Sequence, residues 1–211
     1  MNRANRCEVP VDVCRRLRLL YLVAQFSDAC NGKVRLHKVA YFSEKQQATR
    51  LFTFQKAPWG PFSDAVEETL EQLLSMGLVT AEPMGARGGN KYRVARPGGV
   101  ALPLPDWVRA MAEPEKRLIA SAVETYGYMS QQELIAAGHR EPGFERAQHF
   151  DVLLDATVTE SGLVPVSLPE ADCEDLVLAL SPAFVATLRG LSELAREFDF
   201  ARVPVGCHTT G

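Results

Sequence analysis

"WGPFSDAVEETLEQLLSMGLV", residues 59–79, carries both the fold and its difficulty. Gly60 and Pro61 break the chain, and Ser63 is placed to cap a helix because its hydroxyl can accept an orphan backbone N–H. Phe62, Val66, Leu70, Leu73 and Leu74 recur at helical spacing and form one apolar stripe, so a helix is expected over 64–76. Gly77 supplies the left-handed position that closes it. The opposite face is acidic. Asp64, Glu67, Glu68 and Glu71 share one outer face by their spacing, and no Lys or Arg stands between Pro61 and Leu78.

Upstream, residues 10–29 read as a helix with Leu17, Leu20, Tyr21, Val23 and Ala24 on one side. "CNGK", residues 30–33, is a turn, because Asn-Gly favours positive φ. A second helix runs from about 34 to 47, and "LFTFQ", residues 51–55, alternates like a short strand. Downstream, residues 78–95 read as two extended arms around a tip holding Gly85, Gly88, Gly89 and Asn90. The order helix, helix, strand, helix, hairpin is that of a winged helix-turn-helix.

The proline- and glycine-rich stretch 96–105 marks a boundary. A helix over 114–126 follows. "SQQE", residues 130–133, is a capping box opening a helix over 131–137 that Gly138 closes. "FERAQHFDVLLDA", from Phe144, reads as a sixth helix, and "GLVPVSL" and "DLVLAL" as two short strands. Ser181-Pro182 starts a last helix, with Phe184, Leu188, Leu191 and Phe198 on one side, and the tail after Arg202 reads as loose. The expected class is α+β, mostly helical. A winged-helix domain spans 1–97, a helical extension 106–158 and a small C-terminal αβ piece 159–211.

Composition narrows the function. The 211 residues suffice for one large domain or two small ones. The run "LLYLVA", residues 19–24, is too short to cross a bilayer, and no cleavable leader follows it, so the expected location is the cytoplasm without membrane contact. Cys7, Cys14, Cys30, Cys173 and Cys207 form no paired motif, which suggests reduced thiols. No metal-ligand spacing and no cofactor motif is present. Charge is uneven: residues 1–56 hold 11 Lys or Arg against 4 Asp or Glu, and residues 57–211 hold 12 against 22. Either a basic surface lies beside an acidic one, or the two parts contact each other.

"RLHKVAYFSEK", residues 35–45, followed by an aromatic strand, "GPFS" and a helix ending "LLSMGLV", resembles the SocA-like (Panacea) antitoxin domains and related bacterial and phage winged-helix proteins. Arg35, Leu36, Lys38 and Tyr41 match the pattern of that group's second helix, and Gly60-Pro61 matches its Gly-Pro. "YGYMSQQELIAAGHREPGF", residues 126–144, resembles its later segment. The likeness covers about residues 11–150. It implies a protein-binding role in a toxin–antitoxin system, with a toxin or a protease-adaptor target as partner.

The acidic helix fits that implication better than DNA reading, because phosphate contacts need Lys or Arg. Asp64, Glu67, Glu68 and Glu71 with Trp59 are therefore the expected partner-binding residues; a merely solvated face is the plain alternative. Arg87, Lys91 and Arg93 on the hairpin, with Arg35 and Lys38 on the second helix, are the candidates for nucleic acid if the chain is instead a transcriptional regulator. Arg15, Arg16 and Arg18 either add a basic surface or lay their stems over the core. A homodimer is compatible with either role. Catalysis lacks support: Ser63 has no nucleophile-elbow frame, "ARGGNK" is no phosphate loop, and His37 has no sequence partner. The expected function is a non-enzymatic protein-binding module, antitoxin- or adaptor-like.

Overall fold

The computed structural model describes residues 7–85, 88–95, 110–166, 170–183 and 185–187. In chain order the elements are β1 (Cys7–Pro10), α1 (Val11–Ala24), β2 (Cys30–Asn31), α2 (Lys33–Glu44), β3 (Phe54–Ala57), β4 (Gly60–Phe62), α3 (Asp64–Ser75), β5 (Val79–Pro83), β6 (Asn90–Val94), α4 (Glu113–Tyr126), α5 (Gln131–His139), β7 (Val152–Leu154), β8 (Leu163–Val166) and α6 (Glu170–Ala179). The fold is mixed α+β. Its strands form three small antiparallel sheets, ordered β1-β8, β2-β6-β5 and β4-β3-β7.

The helix that opened the sequence reading forms as its residues dictate. Ser63 Oγ accepts from the Val66 N–H, and Val66, Leu70 and Leu73 are fully buried. Each such side chain contributes roughly 1.5–3 kcal/mol when removed from water. Gly77 takes φ 64° and donates to Leu74 O, while Leu78 N–H reaches Leu73 O. This paired closure satisfies the last carbonyls of α3 and turns the chain into β5.

Several boundaries differ from the expectation. The first helix stops at Ala24 and the second at Glu44. The Glu44 carboxylate is buried and accepts from the N–H groups of Leu51 and Phe52, folding the chain back on itself. Leu51 and Phe52 therefore enter the core, and β3 begins only at Phe54. The short fifth helix runs through Gly138 to His139. Gly138 is not its stop: an added Cβ would lie 3.0 Å from Pro61 Cδ, so the glycine lets α5 approach the Gly60-Pro61 turn.

The helix expected from Phe144 is absent. Residues 144–151 form turns that lead into β7. Lys56 Nζ captures the carbonyls of Phe144 and Ala147, and Phe150 N–H donates to Lys56 O. Carbonyls a helix would have used internally are taken by a residue about 90 positions upstream, so tertiary bonding overrides local propensity. "DLVLAL" is not a strand but lies largely in α6, where Cys173, Leu176 and Leu180 bury one helical face. Its short apolar run fits either period, and only its neighbours decide. "GLVPVSL" does supply β8.

The cysteines are not all free. Cys7 and Cys173 form a disulfide, with Cα atoms 6.5 Å apart, whereas Cys14 and Cys30 are buried thiols. Sequence spacing could not reveal a pair 166 residues apart. Strand pairing also crosses the boundaries anticipated near 97 and 159, since β3 takes β7 and β1 takes β8. Ser181 O accepts from Val185 N–H, consistent with a helical turn after Pro182. Phe184, Leu188, Leu191, Phe198 and the tail after Arg202 lie outside the described residues, as do Trp107 and the 96–105 stretch. Among the described residues, no helix is long and apolar enough to cross a membrane.

Candidate functional site

The acidic helix presents three of its four carboxylates to solvent. Asp64, Glu68 and Glu71 are exposed, and none makes an ion pair among the described residues. Glu67 departs from the expected ridge. It turns toward α2, where Lys33 Nζ meets one carboxylate oxygen and His37 Nε2–H donates to the other at 3.2 Å. The hydrogen bond from His37 leads the effects that pull the Glu67 carboxyl down to about 2, and Lys33 adds to it. His37 also accepts from the Ser63 N–H through Nδ1 and stacks on Phe62 at 4.3 Å. That donor and acceptor pattern fixes a neutral imidazole with its proton on Nε2. Burial lowers its pKa, in agreement. His37 bonds the Ser63 backbone and not its hydroxyl, so the cluster braces α3 and builds no nucleophile.

Behind this face sits a junction made from the residues that carried the family likeness. Lys38 is buried, and its amine donates to Trp59 O at the tip of the β3–β4 hairpin. Gly60 follows with φ 101°, and a side chain there would strike the Lys38 amine. Burial pushes Lys38 down to about 8. Arg35 donates to the carbonyls of Gly127 and Met129 at 2.6 and 2.7 Å, just past the end of α4. Tyr41 and Lys45 both bond Glu141, at 3.0 and 2.6 Å, and Phe42 stacks on Tyr126 at 3.9 Å. One face of α2 thus docks residues 126–141. The two resembling segments are a single packed unit, and Arg35 and Lys38 spend their donors inside it.

Several other cations are similarly occupied. Arg18 is buried against Glu44 and Glu115, each at 2.6 Å. Arg15 donates to Leu51 O at 2.9 Å and Arg16 to Gln72 at 2.7 Å. These three are buried and form no basic surface, so of the two readings it is packing within the chain that holds. On the β5–β6 hairpin, Arg93 pairs with Asp28 at 2.8 Å and Glu82 at 3.6 Å, and Lys91 stands opposite Glu82 in the ladder. Arg87 lies outside the described residues.

Apolar groups are exposed on and beside the β4-β3-β7 sheet, which leads into the acidic helix. The Trp59 side chain is 63% exposed at the hairpin tip. Val152 is exposed opposite Gln55, and Gln55 lines a polar groove with Asp64, Thr53, Asp155 and Glu160. Phe150, 67% exposed, holds φ 72°, a strained conformation for a side chain of this size. Sequence reasoning missed Phe150 and Val152, because their stretch was taken for a helix; Glu44 and Glu115 carried no signal of their pairing with Arg18. Among the described residues no cluster of His, Cys, Asp and Glu could hold a metal ion.

Comparison of the chain with protein-family models, with curated proteins and with solved structures finds no match.

Proposed function

We propose that residues 11–94 work as a winged-helix module, and that the chain is a non-enzymatic, antitoxin- or adaptor-like protein that captures another protein. The order α1, β2, α2, β3, β4, α3, β5, β6, with β2 paired to the outer side of β6, supports the winged-helix reading, the β3–β4 hairpin being inserted between its second and third helices. The likeness to SocA-like (Panacea) domains gains support from the docking of its matched residues on one another. A toxin or a protease-adaptor target is the partner class that likeness implies.

One observation carries the binding role: Asp64, Glu68 and Glu71 face solvent with no ion pair among the described residues, Lys33 beside Glu71 being engaged by Glu67, while Arg15, Arg16, Arg18, Lys38 and Arg93 are tied up within the chain. A surface of that sign attracts a basic partner and repels phosphate. Trp59 and Val152 offer apolar anchors of the kind that dominate interface energies. The test is coexpression with the product of the neighbouring gene. The unaltered chain should copurify with it, and Asp64→Lys/Glu68→Lys/Glu71→Lys should not. Equal retention by both ends the proposal. The DNA-binding regulator is the second reading, carried by Lys91 on the hairpin; a gel shift at low salt, lost in Lys91→Ala/Arg93→Ala, would favour it.

A further inference from the structure

Among the described residues, β8 and α6 are held to the body by a weak ribbon, a share of the common core and one covalent bond. A two-stranded sheet is marginal in water by itself. The β1–β8 ribbon is weaker than most, because Pro10 and Pro165 place a residue without an N–H in two of its four residue pairs. Beyond the ladder, Val11 N–H reaches Gly162 O at 3.1 Å, and Val9, Val164 and Val166 share the core with Cys173, Leu176 and Leu180. The Cys7–Cys173 bond then joins the first residue of β1 to the middle of α6. By contrast, residues 126–141 are fixed to α2 and its C-cap by the side chains of Arg35, Tyr41, Phe42 and Lys45.

We propose that Cys7–Cys173 is a redox-sensitive staple: oxidised, it holds β8 and α6 against β1, and reduced, it lets them detach while the α1–α5 body stays folded. The reductant is a dithiol. Its thiolate attacks Cys7 Sγ, the more accessible sulfur, since Cys7 is half-buried and Cys173 buried. Cys173 leaves as a thiolate and takes a proton from water. The reductant's second thiol then displaces Cys7 from the mixed disulfide, so the dithiol loses two electrons and two protons and the protein gains two thiols. Cys14 and Cys30 do not compete in this exchange: burial pushes both thiols up to about 12, leaving almost no thiolate at neutral pH. Detachment uncovers Val9 and Val11, both buried in the closed form.

The experiment is hydrogen exchange on the full chain in a Cys207→Ser background, which removes one alternative partner. The chain is first oxidised with glutathione disulfide, then divided, and one portion is treated with dithiothreitol. Intact mass after alkylation reports the bond. Reduction should lower protection of amides in 163–166 and 172–180 by about tenfold or more, with α2 and α3 unchanged. Cys7→Ser and Cys173→Ser should each show the reduced pattern under both conditions. The proposal is overturned if oxidation leaves both thiols open to alkylation, if reduction leaves β8 and α6 fully protected, or if it unfolds α2 and α3 as well.

Discussion

Lys38, buried on α2, donates its amine to the main-chain carbonyl of Trp59 across the hairpin that separates α2 from α3. The bond pins a two-residue turn whose next position, Gly60, has no room for a side chain. Gly60→Ala should lower unfolding free energy by about 2–4 kcal/mol, combining strain at positive φ with displacement of a buried amine. Urea denaturation followed by far-UV circular dichroism checks this; a loss below about 0.5 kcal/mol would show that the turn relaxes freely.

Glu67 makes stability depend on acid. Its folded pKa, about 2, lies below the ordinary 4.5, so the unfolded chain binds more protons between those values. The contribution is complete above pH 4.5 and fades as pH falls toward 2. Glu67→Gln should be less stable than the unaltered chain near neutrality by about 1 kcal/mol, with the gap closing in that acid window. Melting temperatures of both proteins across the range measure it.

Lys38 acts in the opposite direction. Its folded pKa of about 8 lies below the ordinary 10.5, so the folded chain binds fewer protons between the two. Burying the charged amine costs most below pH 8, and stability attributable to this group rises from pH 8 to 10.5. Relative to Lys38→Met, which titrates nothing there, the unaltered chain should gain stability over that window in denaturant titrations.

Arg18 and Glu44 form the deepest ion pair, both almost wholly excluded from solvent. Removing one charge strands the other, so Arg18→Met should cost about 3–5 kcal/mol. The double variant Arg18→Met/Glu44→Leu should recover part of the loss. A double-mutant cycle by chemical denaturation separates the pair's coupling from the solitary charge.

Under the proposed function, Trp59 separates binding from folding. Its backbone serves the hairpin, but its side chain projects into water. Trp59→Ala should leave stability within about 0.5 kcal/mol and weaken capture of the partner by about tenfold or more. Calorimetric titration with the purified partner, beside a melting curve, distinguishes the two effects.

Local chemistry made part of this fold legible. The stripe Val66, Leu70, Leu73, the Ser63 cap and the Ser130–Glu133 capping box are complete within a few residues, and each formed where the sequence placed it. Legibility ended where distant residues settle the outcome. Phe144 to Asp151 has helical composition, yet Lys56 claims its carbonyls. Arg15, Arg16 and Arg18 looked available because their acceptors lie 36, 56 and 26 residues away. The acidic face was readable from spacing alone, except that Glu67 belongs to His37 and Lys33. Nothing in the order of residues says that a helix 30 positions earlier will turn one carboxylate of four inward.

The pairing of β3 with β7 has a consequence for how the chain is born. Strand β3 leaves the ribosome about 100 residues ahead of its mate, as Arg35 and Tyr41 precede Gly127 and Glu141 by 92 and 100. Throughout that interval of synthesis, one flank of a hydrogen-bonding strand and an aromatic helix surface stand uncovered. The nascent polypeptide therefore passes through a vulnerable interlude in which surfaces that the finished molecule conceals stand open to water.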